Sequence, residues 1–285
     1  MEPFLPSDKD HLLSVILPAH NEAGYIGTCL DSLLSQDAQA GPVEVVVAAN
    51  GCKDTTVAVA REREQAFAAR GWRLVVLDLP DGNKVGALNA GDAEATGAWR
   101  LYLDADIRCD PPLFGQLRTV LKQPSAIFVT GALRLAPARS WLTRRYGDFW
   151  MRLPFVRHGA VGAGLYAVNA AGRARWGRFP SVIADDGFAR LQFRPDERIE
   201  VPAAYFWPLS EGFAAIVRVR RRQDAGTAEL FGLYPELAQN EGKSPLGMAG
   251  LGRLALQAPI SFLVYAAVTL AVRSRRADVG WARGR

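Results

Sequence analysis

The chain has 285 residues, of which 49% are hydrophobic and 22% charged, with a formal net charge of +5. Its length suits one large domain with or without an appendage, and its 29 acidic residues argue against a general nucleic-acid-binding role. The cysteines Cys29, Cys52 and Cys109 form no C-x-x-C pair, so the sequence indicates neither a disulfide framework nor a zinc site, and it favours a reducing compartment. The arginine excess after residue 134 favours phosphate ligands or an anionic membrane surface.

Strand and helix patterns alternate four times in the first 120 residues. Apolar runs rich in β-branched residues predict strands at 12–17, 43–49, 72–77 and 99–103. A helical pattern follows each of them, and the second helix is expected to run towards Arg70. This alternation predicts an α/β fold with a mostly parallel sheet flanked by helices.

A polar cluster follows each of the four predicted strands. The clusters lie at 20–22, 50–54, 81–84 and 104–106. Because the carboxyl ends of parallel strands meet at one edge of a sheet, we expect the clusters to line a single crevice. Asp104 and Asp106 repel each other unless a cation balances them, and such oxygen ligands suit Mg²⁺ or Mn²⁺ that also contacts a diphosphate. The alternative for this pair is a polar turn after a strand.

The pattern loosens after residue 125, where further strands are predicted at 126–133, 165–168 and 198–201. A glycine-rich loop at 159–164 favours close backbone approach over a phosphate cradle, since no strand precedes it. Asp185 and Asp186 open a predicted helix, where the helix dipole favours acidic side chains. The mixture of arginines and aromatic residues at 137–157 fits either a surface that binds a ligand with apolar and anionic parts or a buried core with a solvated face.

The apolar stretch 254–272 carries no charge and is followed by Arg273, Arg275 and Arg276. Its length is at the lower limit for a membrane span. A single span would place the amino-terminal domain outside the cell, away from nucleotides. We therefore predict a helix on the membrane surface, with a buried core helix as the alternative. Residues 1–10 lack a signal-peptide pattern, and we expect a cytoplasmic protein at the inner face of the plasma membrane.

Four motifs in this order resemble those of the family 2 glycosyltransferases, which have the GT-A (Rossmann-like) fold. Residues 15–22 resemble the family's opening strand and its P-x-x-N-E loop, and residues 50–55 resemble its second nucleotide-binding loop. Residues 83–91 are similar to its K-x-x-A-x-N-x-G helix, and residues 103–106 to its D-x-D motif. The resemblance implies a GT-A fold over this part of the chain.

Two further motifs match the family only in part. Asp185 and Asp186 resemble its E-D pair, with Asp in the first position, and Asp186 matches the catalytic base. Of the Q-x-x-R-W motif only Arg222 is present, since Val219 and Gln223 replace the outer residues. This departure predicts non-processive transfer.

The resemblance implies an inverting, metal-dependent enzyme that moves a sugar from a nucleotide-diphosphate donor to an acceptor hydroxyl. Asp186 would be the general base beside Asp185, and Asp104 and Asp106 would hold Mg²⁺ or Mn²⁺. The implied donor-binding residues are Pro18, His20, Asn21, Glu22, Asn50, Asp54, Lys84, Asn89, Asp104, Ala105 and Asp106. The predicted acceptor-binding residues are Trp150, Arg157, Gly162 and Arg222, and a lipid or lipid-linked acceptor would fit the apolar stretch.

Several alternatives stay open at this point. Asn50 stands where many UDP-sugar users have an Asp that pairs with uracil, so this position leaves the base open. A UDP-sugar is the favoured donor and a GDP-sugar the alternative. The rival functions are a catalytically silent nucleotide-sugar-binding or membrane-scaffold protein, and a sugar-1-phosphate nucleotidyltransferase, whose G-x-G-T-R-type loop does not follow the first strand. The predicted domains are a GT-A domain at 1–225, with a nucleotide-sugar-binding half at 1–115 and an acceptor-binding half at 116–225, and a membrane-associating helical region at 226–285.

Overall fold

The computed structural model describes residues 11–242 and 246–274. The chain forms two compact units. The first unit comprises Met1–Arg134, Gly162–Ser181 and Asp196–Trp207, and the second comprises Leu135–Val161, Val182–Pro195 and Pro208–Arg285. The sequence predictions for residues 1–10, Arg275 and Arg276 lie outside the described residues.

An eight-stranded mixed sheet forms the centre of the first unit in the described part of the chain. The strands are β1 (Leu13–Ala19), β2 (Val43–Asn50), β3 (Arg73–Leu79), β4 (Trp99–Leu103), β5 (Arg108–Cys109), β6 (Phe128–Leu135), β7 (Leu165–Val168) and β8 (Arg198–Trp207). Their order is β3-β2-β1-β4-β7-β6-β8-β5. The pairs β1–β2, β1–β4 and β2–β3 are parallel, and β4–β7, β6–β7 and β5–β8 are antiparallel. The four strands predicted first are thus the parallel part of the sheet, and the predicted α/β fold class is confirmed.

Helices accompany these strands and make up much of the second unit. In chain order they are α1 (Ile26–Leu34), α2 (Thr56–Arg61), α3 (Glu64–Ala69), α4 (Lys84–Glu94), α5 (Leu113–Leu121), α6 (Trp141–Trp150), α7 (Pro154–His158), α8 (Ala170–Arg173), α9 (Asp185–Leu191), α10 (Phe213–Leu233), α11 (Met248–Gln257) and α12 (Pro259–Arg273). The proposed domain boundary after residue 225 falls inside α10 and stays a prediction.

The core of the first unit lies on β1 and β2, which are buried along their whole length. Continuous apolar strands of this kind are typical of a parallel sheet that is covered on both faces. Helix α4 packs on both strands. A Cβ atom on Gly91 would lie 2.7 Å from Cγ2 of Ile16, so only a glycine lets the helix approach the sheet this closely. The small residues of α4 therefore set the position of its first residue, Lys84.

Two helices expected to be continuous are interrupted. The helix expected to run towards Arg70 breaks between α2 and α3. At this break the backbone N–H of Arg63 donates to Ala60 O, and the guanidinium of Arg63 donates to Val59 O. The apolar stretch 254–272 divides at Ala258, because the residue before a proline is disfavoured in a helix and Pro259 lacks an N–H group. No helix in residues 11–242 or 246–274 is both long and apolar enough to cross a membrane.

Candidate functional site

The strand order reverses at β1, which places the expected crevice. The chain passes from β1 through β2 to β3 on one side and then returns to β4 on the other side of β1. Pairing of β1 with β2 continues to Ala19 and Ala49, whereas pairing with β4 ends at Ile16 and Tyr102. Strands β1 and β4 therefore separate at their carboxyl ends, where open α/β sheets bind ligands. Pro18, which has no N–H group for a sheet ladder, lies beyond the last β1–β4 pair.

The loops that follow β1 and β2 are tied together through His20 and Asn21. His20 Nδ1 donates to Asn50 O at 2.5 Å, and Asn21 Nδ2 donates to His20 Nε2 at 3.1 Å. This pattern requires the neutral imidazole with its proton on Nδ1. Asn21 has a φ of +52°, which Asn tolerates better than most residues, and its Oδ1 accepts from Lys53 N at 2.6 Å. The two predicted nucleotide-binding loops therefore form one hydrogen-bonded unit.

Other predicted donor-binding groups in these loops also bond to the protein itself. Asn50 is 2% exposed, and its Nδ2 donates to Ala19 O at 2.9 Å. Asp54 accepts from the backbone N–H and the hydroxyl of Thr56 at 3.0 and 2.5 Å. The same hydroxyl accepts from Glu22 N at 2.7 Å. These contacts shape the loops, and direct contact with a donor stays a prediction for each of these residues.

Two glycines that were not among the predicted site residues bring a third loop against the first two. Gly51 has a φ of +55°, and a Cβ atom there would lie 2.5 Å from Gly82 N. A Cβ atom on Gly82 would in turn lie 3.2 Å from His20 Cε1. The N-G and D-G dipeptides at these positions indicate turns in the sequence, but they do not indicate that the turns touch.

The acidic stretch after β4 is held from two sides within the first unit. Lys84 Nζ lies 3.0 Å from Asp104 Oδ1, and Asp104 N donates to Gly164 O at 2.8 Å. Gly164 has a φ of +71°, and a Cβ atom there would lie 3.1 Å from Asp104 Oδ2. The close backbone approach expected for the glycine-rich loop is therefore seen at Gly164. Ala105 is buried and Asp106 is partly exposed, so a buried residue separates the carboxylates of Asp104 and Asp106.

Buried groups fix β4 and the stretch that follows it. Burial raises the pKa of the Cys29 thiol, with further increases from Cys109 and Asp104, so the thiol stays protonated and donates to Asp104 O at 3.9 Å. Burial also raises the pKa of Tyr102, whose hydroxyl donates to Asp92 Oδ1 at 3.0 Å. These contacts position Asp104 without using its carboxylate.

The residues present suit a cation that a diphosphate would help to hold. In the part of the chain that the structure describes, no group of three or more His, Cys, Asp or Glu side chains could hold a metal ion by itself. Mg²⁺ at nucleotide sites typically uses one or two carboxylates together with phosphate and water oxygens. Asp104 and Asp106 match that donor set.

Asn89 fixes a distant segment rather than a loop of the crevice. Its Nδ2 donates to Phe179 O at 3.0 Å, and its Oδ1 accepts from Phe179 N at 2.8 Å. The side chain is 9% exposed, so it clamps a backbone segment 90 positions away. A direct role of Asn89 in donor binding stays a prediction.

In the second unit, Asp185 and Asp186 begin α9, as predicted. Asp185 is 7% exposed, whereas Asp186 is more exposed and accepts from Gly187 N at 2.7 Å. Helix α10 fixes the segment before them, because Ile183 N donates to Glu229 Oε2 at 2.8 Å. The carboxylate of Asp186 is therefore the more accessible of the two.

The predicted acceptor residues have different surroundings. Trp150 is 9% exposed and meets Phe155 edge-on at 6.3 Å between ring centres, so it belongs to the core of the second unit. Arg157 is exposed on α7 and Arg222 is half-buried on α10. Gly162, in the first unit, has a φ of +64°, and a Cβ atom there would lie 2.5 Å from the Phe128 ring. Acceptor binding by these four residues stays a prediction.

Comparison with known proteins places the chain among glycosyltransferases. The family model described as Glycosyl transferase family 2 matches residues 14–183. Glycosyltransferase AglE of Haloferax volcanii is 34% identical over 99 residues, which are 35% of this chain and 31% of that protein. Dolichyl-phosphate beta-glucosyltransferase of Drosophila melanogaster is 33% identical over 127 residues, 42% of this chain and 39% of that protein. The aligned region thus spans between three and four tenths of these relatives.

Solved structures share the fold at low sequence identity. A mannosyltransferase from Pyrobaculum calidifontis, in complex with GDP-Man and Mn²⁺, is 24% identical with a TM-score of 0.57, covering 91% of this chain and 74% of that one. S. aureus TarS 1-349, in complex with UDP-GlcNAc, is 15% identical with a TM-score of 0.55, and the match covers 92% of this chain and 76% of that one. These likenesses support the GT-A fold, and the family match extends over more than half of the chain. The chain therefore belongs to glycosyl transferase family 2.

Proposed function

We propose that this glycosyltransferase binds a nucleotide-diphosphate sugar at the crevice of its first unit and transfers the sugar with inversion. The observation that carries the proposal is the arrangement of Lys84, Asp104 and Gly164 where β1 and β4 part. A cationic and an anionic side chain lie together there at the edge where such sheets bind ligands. The solved relatives with bound GDP-Man and UDP-GlcNAc support a nucleotide-sugar donor. A UDP-sugar is favoured, with a GDP-sugar as the alternative.

The leaving group of the reaction is a nucleoside diphosphate, on which negative charge accumulates. Asp106 and Asp104 would hold Mg²⁺ or Mn²⁺, which supplies Lewis-acid stabilisation of that charge when bound. Lys84 adds a positive charge at the same edge, since its ammonium group already lies beside Asp104. The Mn²⁺ bound in the Pyrobaculum mannosyltransferase supports this assignment.

Asp186 is the proposed general base. It takes the proton from the acceptor hydroxyl as that oxygen bonds to the anomeric carbon and the bond to the diphosphate breaks. In-line attack from the face opposite the leaving group inverts the configuration at that carbon. The greater exposure of Asp186 supports its choice over Asp185, which is nearly buried.

The proposed acceptor is a lipid or lipid-linked molecule, used without processive elongation. Its apolar part would suit an enzyme attached to the inner face of the plasma membrane. The name of the Drosophila relative, a dolichyl-phosphate beta-glucosyltransferase, supports a lipid phosphate as the acceptor class.

Two matched variants separate donor binding from proton transfer. Asp106→Asn is expected to abolish the Mn²⁺-dependent increase in melting temperature that UDP or GDP produces, because a ligand that binds only the folded state stabilises it. Asp186→Asn is expected to keep that increase but to lose transfer and donor hydrolysis. Asp31→Asn, at a surface ion pair with Arg63, is the control and retains both. Equal turnover in Asp106→Asn and the wild type would overturn the metal assignment, and full transfer by Asp186→Asn would overturn the base.

A further inference from the structure

Large apolar side chains lie exposed on both α11 and α12. Each has between 56% and 85% of its surface exposed, and the set, here called the apolar stripe, is Met248, Leu256, Ile260, Leu263 and Leu270. On α12 the exposed positions Ile260, Leu263, Ala267 and Leu270 follow the three-and-four spacing of one helix face. Exposed apolar rows of this kind mark surfaces that meet a partner or a membrane.

The opposite face of α12 is fixed inside the second unit. Val268 is fully buried, and Tyr265 stacks on Tyr146 with 5.6 Å between the ring centres. Ser261 is 2% exposed, and its hydroxyl donates to Asp148 Oδ2 at 2.8 Å. The helix cannot turn Ile260, Leu263 and Leu270 inward without breaking these contacts, so these three side chains face outward.

The charged residues of α11 and α12 themselves are of one sign. Neither α11 nor α12 contains an acidic residue, and their basic residues Arg253 and Arg273 are both exposed. From residue 273 to residue 285 the sequence has five arginines and one aspartate. Anionic lipid headgroups attract such basic residues, whereas two copies joined through this face would bring like charges together.

The length of α12 defines how it can meet a bilayer. Its 15 residues extend about 22 Å at 1.5 Å per residue, whereas a bilayer hydrocarbon core is about 30 Å thick. A helix with one apolar face and basic residues beside it lies in the plane of the interface.

We propose that the apolar stripe of α11 and α12 docks on an anionic lipid bilayer, with Arg253 and Arg273 at the headgroups. The proposal deepens the membrane attachment in the proposed function and rests on it, and it names the docking face. Binding of this kind needs no donor, acceptor or metal.

Flotation of the full chain with vesicles tests the proposal. The wild type is expected to float with phosphatidylcholine vesicles that contain phosphatidylglycerol, and to float less with phosphatidylcholine alone or at high salt. Leu263→Glu is expected to lower the vesicle partition coefficient roughly tenfold or more, because a charge replaces a leucine that would enter the apolar layer of the bilayer. Leu233→Glu, at an equally exposed leucine on α10, is the matched control and is expected to float like the wild type.

Three results would overturn the docking face. The first is a wild type that does not float with anionic vesicles, and the second is equal loss of flotation in the two glutamate variants. The third is a lipid-free dimer by light scattering that Leu263→Glu converts to a monomer, since the face would then belong to a second copy. Thermal melts verify that each variant is folded. Donor hydrolysis without vesicles is measured in parallel, because its absence in the wild type refutes the proposed enzyme chemistry and leaves the flotation result to stand alone.

Discussion

Replacement of Asn89 by alanine distinguishes a structural clamp from a donor-binding residue. The side chain makes two buried hydrogen bonds to the backbone of Phe179, at 2.8 and 3.0 Å. Asn89→Ala leaves one buried N–H and one buried C=O without this partner, and each such group costs about 1–3 kcal/mol. The expected loss in the free energy of unfolding is therefore about 2–6 kcal/mol, a large part of the 5–15 kcal/mol typical of a domain.

Asn83→Ala is the matched control on the same helix. Asn83 caps α4 by accepting from Gly86 N at 3.1 Å and is exposed, so its removal is expected to cost about 1 kcal/mol. Urea unfolding followed by circular dichroism measures both values, and isothermal calorimetry with UDP and GDP measures ligand affinity. A loss of stability in Asn89→Ala no larger than that in Asn83→Ala would refute the clamp. Weaker nucleotide binding with unchanged stability would instead support the role predicted from sequence.

Three further predictions concern charge and backbone in the first unit. Lys84→Met is expected to weaken UDP binding, measured by calorimetry, about tenfold. The free energy of unfolding is expected to change by less than about 1 kcal/mol, because the ion pair between Lys84 and Asp104 is one-third exposed. Lys122→Met is the control, and equal UDP affinities in the two variants would contradict the expectation. Gly164→Ala is expected to cost about 1–3 kcal/mol in urea unfolding because its φ is +71°, and an unchanged midpoint would exclude strain. Burial opposes ionisation of Glu44, but hydrogen bonds from its neighbours lower its pKa below the ordinary value of 4.5. The stability that the ionised carboxylate contributes is therefore present above pH 4.5 and is lost as the pH falls through the lowered pKa. Urea unfolding between pH 7 and 2 should therefore show a shallower acid loss in Glu44→Gln than in the wild type.

The parallel half of the fold could be predicted because its signals are local. Each of β1, β2, β3 and β4 is an apolar run that ends in a polar cluster, and the helices between them follow from their spacing and their caps. The breaks were not predictable in the same way. The interruption at Arg63 depends on a side chain that bonds to a backbone carbonyl, and it leaves no mark in the apolar pattern. The proline at 259 does leave a mark, and its effect on the stretch 254–272 follows from backbone sterics alone.

The candidate site was predictable by residue type but not by contact. The polar clusters indicate which loops gather at the crevice, since parallel strands end on the same side. They do not indicate that Asn89 bonds to Phe179 or that Gly164 reaches Asp104, because these pairs are brought together by tertiary packing over long sequence distances. A motif match therefore includes residues that shape the site together with residues positioned to meet a ligand.

The distribution of hydrogen bonds separates these two groups of residues in the first unit. His20, Asn21, Asn50 and Asp54 bond to backbone or side-chain groups of the adjoining loops. Loops held in this way are already ordered before a ligand binds. Less conformational entropy is therefore lost on binding, and less of the ligand's binding free energy is used to order the site. In the proposed function, the charged groups of Lys84, Asp104 and Asp106 would be those whose interactions change most when a diphosphate binds. In the proposed function, the first group would set the shape of the nucleotide pocket and the second would set its preference for a charged leaving group.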